Sequence, residues 1–148
     1  MPDLTPTQLC QRYCDVFSTL RPDTIGDFSA LVTEQIHFRD PFNDVRGFDK
    51  MRRILEEMFH HTQKPSFNVL EQSVFQDHAW LRWQFTAQVP VIGLLSVEGA
   101  TRLAFDHYSG LVTEHIDYWD SAPVYLRLPL LGALLRRIRR RMSASASV

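Results

Sequence analysis

Four ionisable side chains in this 148-residue chain stand among large apolar neighbours: Tyr13 in "QRYCDVF", Asp40 in "FRDPF", and His115 and Asp117 in "TEHIDYWD". A carboxylate drawn into apolar surroundings becomes a stronger base, because burial disfavours its charge. Within hydrogen-bond reach of a carbonyl compound, such a base can move a proton between carbons next to the carbonyl. A buried tyrosine hydroxyl can donate to the oxyanion that develops. Each residue also has a plainer reading. Asp-Pro can simply end a strand, with the aspartate accepting N–H groups of the following loop. A buried tyrosine can bond to any internal partner. Strand alternation puts His115, Asp117 and Trp119 on one face, and Glu114, Tyr118 and Asp120 on the other. His115 and Asp117 then form either an acid–base pair or a structural ion pair.

Other chemistries lack their motifs. Six histidines invite a metal reading, but there is no H-E-x-x-H, no cysteine pair at ligand spacing and no facial triad beyond "HID". Gly-rich phosphate loops and the G-x-S-x-G elbow are missing too. Neither a metal nor a cofactor is expected. Cys10 and Cys14, four apart, have a spacing that rarely suits a disulfide, so both are expected reduced, Cys14 the more buried.

These residues need elements to hold them. Thr5, Pro6 and Gln8 form a helix start with a capping box. Leu9, Tyr13, Val16, Phe17 and Leu20 follow at helical period until "RPD" breaks the pattern. A short helix through Phe28 and Leu31 comes next, then a strand "EQIHFRD" stopped by Pro41, a loop "PFNDVRG", and a helix from Phe48 to His61. Residues 66–76, 79–90, 95–106 and 111–120 read as four strands divided by "QD", "PVIG" and "DHYSG". Strands this close in sequence pair antiparallel. Helices first and a sheet afterwards is α+β order. Leu81, Trp83 and Phe85 alternate with Trp80, Arg82 and Gln84, and the sequence does not say which set faces inward. Tryptophans on both faces suggest a homodimer packed through the outer one.

The order of elements, with "HFRDPF" after two helices and "HIDYWD" in the last strand, resembles the nuclear transport factor 2-like superfamily over residues 5–120. Its SnoaL-like and ketosteroid-isomerase branches are the nearest match. The resemblance implies a cystatin-like cone, a bent and mainly antiparallel sheet wrapped around N-terminal helices, with an apolar pocket open at one end. It places Tyr13 on an oxyanion-hole tyrosine, Asp40 on the general base and Trp119 on a pocket-lining tryptophan. The second oxyanion donor of the ketosteroid isomerases, a protonated aspartate, falls on Thr101, whose hydroxyl could substitute only in part. Loss of one such donor typically costs about 10²–10³ in rate. Related epoxide hydrolases and cyclases use an aspartate near Asp117. Phe17, Phe38, Phe59, Trp83, Phe85, Thr101 and Trp119 are the expected substrate-binding residues.

The end of the chain has a different character. Net charge is −1, yet residues 121–148 hold six arginines and no acid, leaving −7 on the first 120. In "LPLLGALLRRIRRRM", Leu130, Leu131, Leu134, Leu135, Ile138 and Met142 share a helical stripe, with Arg136, Arg137, Arg139, Arg140 and Arg141 at its end. Such a helix can dock on the chain's own acidic body or lie on an anionic membrane surface. Nucleic acid is disfavoured by the acidic body. The expected organisation is a SnoaL-like pocket domain over 1–122, a basic amphipathic helix over 123–142 and a disordered tail over 143–148. With neither signal peptide nor membrane span, the chain is expected in the cytoplasm, with the tail able to hold it at the inner membrane surface. The leading functional expectation is a cofactor-independent isomerase, cyclase or lyase acting on a hydrophobic carbonyl compound, with Asp40 as general base. The alternatives are a noncatalytic carrier of a lipid-like ligand, and an interaction module that uses the outer sheet face over a filled cone.

Overall fold

The computed structural model describes residues 4–143. Helix α1 (Pro6–Ser18) opens as its sequence demands: Gln8 N–H donates to the Thr5 hydroxyl at 3.2 Å, and Thr5 N–H to Gln8 Oε1 at 3.0 Å. Its buried stripe is Leu9, Cys10, Tyr13, Cys14 and Phe17. Cys10 and Cys14 are both buried free thiols, and Gln72 Oε1 accepts from each, at 3.3 and 3.6 Å. A 3₁₀ turn (Ile25–Ala30) stands where the short second helix was expected. Strand β1 (Val32–Arg39) leads into β2 (Asp44–Arg46), a strand inside the expected loop that pairs back on β1. Gly47, at φ 103°, opens α2 (Phe48–His61) in a conformation that side chains other than glycine's resist.

Four long strands follow: β3 (Gln63–Val74), β4 (His78–Val89), β5 (Gly93–Phe105) and β6 (Val112–Trp119). The sheet order is β2-β1-β6-β5-β4-β3. All pairs are antiparallel except β1 with β6, which sets Phe38 opposite His115. Register shifts in β1–β6, β3–β4 and β5–β6 mark bulges, which bend strands and strengthen twist, so the sheet curls around α1. Leu81 and Trp83 are buried in the core while Trp80, Arg82 and Gln84 are exposed, which settles which face of β4 turns inward.

The C-terminal region is two helices, not one: α3 (Ala122–Leu126) and α4 (Pro129–Met142). Pro129 forces Leu128 into extended geometry, at ψ 140°, and breaks the helix there. Helix α4 packs on α3 and leaves much of its apolar stripe exposed. Ser143 caps α4, and the rest of the expected disordered tail, 144–148, lies outside the described residues.

Gly99 governs the inner wall. It pairs with Trp83 on one side and Trp119 on the other, and a Cβ there would stand 2.5 Å from the Trp83 ring and 2.8 Å from Trp119 Cβ. Changing Gly99 to Ala is expected to displace Trp83 and cost about 1–3 kcal/mol, as overpacking does. Thermal unfolding together with tryptophan fluorescence checks this; an unchanged melting temperature would show that the wall has slack.

Candidate functional site

The polar residues of the interior form one directed chain. Tyr13 Oη lies 2.8 Å from His115 Nδ1, and His115 Nε2 lies 2.7 Å from Asp117 Oδ1. Thr101 donates to the same Oδ1 at 2.5 Å and accepts from Trp83 Nε1 at 2.7 Å. Burial, reinforced by the charge of Asp117, pushes the Tyr13 hydroxyl well above its ordinary pKa, so it keeps its proton. The Asp117 carboxylate can only accept, which puts a His115 proton on Nε2, and the neutral imidazole then offers Nδ1 as acceptor to the Tyr13 hydroxyl. Helix α1 thus reaches across the core to β6, and β4 reaches it through β5. His115, 1% exposed, lies against Phe38 (ring centroids 4.8 Å apart), Phe17 (5.3 Å) and Tyr13 (5.8 Å).

Both bonds to Asp117 land on Oδ1. Its other oxygen, Oδ2, has no hydrogen bond within the described residues, and Asp117 lines the small hollow inside the cone. Phe17, Phe67, Val69, Leu81, Trp83 and Thr101 complete that lining. The hollow measures about 10 Å³, room for one water. Of Tyr13, Asp40 and Asp117, only Asp117 lines this hollow. A second pocket, about 280 Å³, lies outside, lined by Phe17, Leu20, Met58, Phe59, Pro65 and Phe67 among others. Phe17 and Phe67 belong to both spaces, and their rings meet edge-on at 5.2 Å. They form the partition between them.

The family model of the SnoaL-like domain matches residues 10–120, three quarters of the chain. The protein belongs to the SnoaL-like domain family. Among solved structures, this SnoaL-like fold is similar to an NTF2-like protein from Burkholderia thailandensis, at TM-score 0.73 and 14% identity, over 85% of this chain and 99% of that one. A ketosteroid isomerase-like protein from Catenulispora acidiphila, solved with trimethylamine, matches at 0.69 and 14%, over 85% and 96%. A candidate SnoaL-like polyketide cyclase from Jannaschia matches at 0.64 and 14%, over 100% and 96%. No curated protein sequence matches the chain.

Within this SnoaL-like frame the remaining expected site residues are dispersed. Asp40 is half-buried at the end of β1, and its carboxylate accepts from Phe42 N–H (2.8 Å), Asn43 N–H (2.7 Å) and Asn43 Nδ2 (3.1 and 3.2 Å). Trp119 lies under Phe42, with rings 5.5 Å apart, and Phe85 lies against Phe67 at 4.7 Å. Phe59 lines only the outer pocket. Sequence reasoning missed Phe67 and Val69, although their alternation on β3 opposite Phe85 and Trp83 was there to be read. It also missed Asn43, whose role depends on loop geometry. Among the described residues, no group of three His, Cys, Asp or Glu side chains is arranged to hold a metal.

Two outcomes follow from this arrangement. Tyr13→Phe leaves His115 Nδ1 buried without its donor and is expected to cost about 1–3 kcal/mol in denaturant unfolding. At Asp40, burial is the largest influence and the Asp117 charge adds to it; together they raise the pKa against the bonds from Phe42 and Asn43. A raised acid disfavours the fold only when ionised. Its penalty is absent below the ordinary carboxylate pKa and complete above the raised one. Asp40→Asn should therefore raise the melting temperature at pH 7, and the gain should vanish as pH falls through the carboxylate range. A loss at pH 7 would mean that the loop bonds outweigh burial.

Proposed function

We propose that this protein is a cofactor-independent isomerase, cyclase or lyase that moves a proton on a compact hydrophobic carbonyl compound. The observation that carries the reading is Asp117, a carboxylate in an aromatic wall with one oxygen held by Thr101 and His115 and the other unbonded. In this reading Oδ2 takes a proton from the carbon beside the carbonyl, leaving an enolate and a neutral carboxyl. Returning that proton to a different carbon completes an isomerisation, with no atom gained or lost. Once Asp117 is protonated, Thr101 can turn its hydroxyl toward the enolate oxygen while still accepting from Trp83. Tyr13 and His115 act as positioning residues, since the hydroxyl proton of Tyr13 is already given to His115. Asp40 is the second candidate base, with a strengthened carboxylate but one engaged by its own loop. Substrate would enter from the outer pocket by displacing Phe67 from Phe17. At about 280 Å³ that pocket is near the ~300 Å³ lower bound of ordinary ligand sites, which favours a compact ligand. The small-molecule complex of the Catenulispora relative lends support to ligand binding at this fold.

The test is proton exchange from lipophilic enones and ketones in deuterated water. Asp117→Asn is expected to slow exchange by about 10²–10⁴-fold, the usual weight of a general base. If Asp40→Asn alone abolishes exchange, the base is Asp40. Exchange undiminished in both variants removes the catalytic reading.

A second reading has its own observation. The outer sheet face exposes Trp80 and Tyr118, with ring centroids 6.0 Å apart, and Arg39 lies 5.9 Å over the Tyr118 ring. That patch suits an interface between two copies, and the nearly filled hollow agrees with a protein that works through this surface. Sedimentation of a Trp80→Ala variant distinguishes a dimer held there from a monomer.

A further inference from the structure

Helix α4 exposes a long apolar face. Leu130 is 89% exposed, Met142 81% and Leu134 55%, with Leu131 and Ile138 beside them. Every polar side chain on the helix is an arginine: "PLLGALLRRIRRRM" has no acid, amide or hydroxyl. Among the described residues no acid pairs with Arg136, Arg137, Arg139, Arg140 or Arg141. We propose that α4 docks on an anionic lipid surface, lying in its plane with the apolar face inserted and the arginines among the headgroups.

The alternatives fit less well. The acids of the outer sheet face are already paired, Glu71 and Glu98 with Arg82 and Glu114 with Arg102, so that face of a second copy offers little unmatched charge. Two α4 helices meeting through their stripes would bring their arginines together, with nothing on either helix to fix a register. A bilayer needs no register. Arginine stems can lie along the apolar boundary while their heads reach phosphate. None of the helices described is long and apolar enough to cross a membrane, and α4's 14 residues span about 21 Å, so it lies in the surface.

The attachment of α4 to the domain gives it a defined pose. Gly132 passes so close to the Leu126 carbonyl that a Cβ there would stand 2.3 Å away, and Arg136 donates to the same carbonyl. Arg127 donates to the Leu94 carbonyl at the start of β5, where Leu94 and, in the preceding turn, Val91 are exposed. Tyr125 on α3 lies 6.0 Å from Phe42, beside the Asp40 loop. The helix is therefore held at the end of the cone where β1 and β6 finish, and docking would turn that end to the lipid. The proposal does not depend on catalysis.

Flotation of the whole chain with vesicles tests it. Vesicles of phosphatidylcholine with about one-third phosphatidylserine are expected to bind the protein in a salt-sensitive way, and pure phosphatidylcholine vesicles are not. R137Q/R139Q/R140Q/R141Q should weaken binding by about 10²–10³-fold, at roughly fivefold per arginine. L130S/L134S/M142S should weaken it by at least about tenfold. Because these side chains are exposed, unchanged melting curves show that both variants still fold. No vesicle binding, equal binding to neutral vesicles, or binding that survives either variant overturns the proposal. So does self-association abolished by L130S/L134S/M142S, which would make a second copy the occupant. Binding to duplex DNA as tight as to the vesicles would make nucleic acid the occupant, and would also overturn it.

Discussion

A buried polar group must find a partner or cost the fold several kcal/mol, and Tyr13, His115, Thr101 and Trp83 meet that constraint through a chain that crosses the domain from α1 to β4. Trp83 donates to Thr101, Thr101 to Asp117, His115 to Asp117 and Tyr13 to His115. Each proton is directed, because the Asp117 carboxylate can only accept and the neutral His115 tautomer follows from that. The carboxylate at the focus accepts from two sides on one oxygen. A chain so ordered is worth more than its separate bonds and fixes a single arrangement of the core. It also explains why His115 tolerates near-complete burial between Phe17 and Phe38. Its ring nitrogens are both satisfied, and its faces are left to the aromatic rings.

The same chain limits the chemistry. The protons that an oxyanion hole would use, on Tyr13 and Thr101, already point at protein acceptors. If Asp117 takes up a proton, as proposed, Thr101 is freed from it and becomes available as a donor. The aromatic partition has a comparable effect on access. Phe17 is part of α1's buried stripe, touching Tyr13 at 5.4 Å and Phe28 at 4.8 Å, so it cannot turn without disturbing the helix that carries Tyr13. Phe67 is held only partly buried between Phe17, Trp83 and Phe85, on an outer strand of the sheet. Of the two rings, Phe67 has the easier route aside.

Much of this architecture was legible in the sequence where a local rule had no competitor. The capping box at Thr5, the helix Phe48–His61 and the alternation on β6 all act over a few residues. What was not legible depends on distant chain segments. The pairing of β2 with β1 inside "PFNDVRG" and the parallel pairing of β1 with β6 are long-range events that no short window records. The break at Pro129 was marked by a proline whose effect on Leu128 the continuous apolar stripe concealed. The small size of the hollow beside Asp117 was illegible for another reason. Aromatic residues line an open pocket and plug a closed one equally well, and only the rotation of Phe17, Phe67 and Trp83 decides which.

The position of Asp40 connects the interior to the tail. Its carboxylate accepts from the N–H of Phe42, and the ring of Phe42, 52% exposed, stands edge-on to both Trp119 and Tyr125. Trp119 is on the inner strand β6 and Tyr125 is on α3, which carries α4. A single aromatic ring therefore lies between the helix pair and the loop that holds Asp40. Displacing α3 would leave Phe42 without one of its two partners and loosen the turn whose N–H groups hold the carboxylate. Those bonds work against the burial that raises its pKa, so a loosened turn would make Asp40 a stronger base. The Asp-Pro segment, which in the sequence looks like the end of a strand, thus joins the interior to the helix pair at the end of the chain.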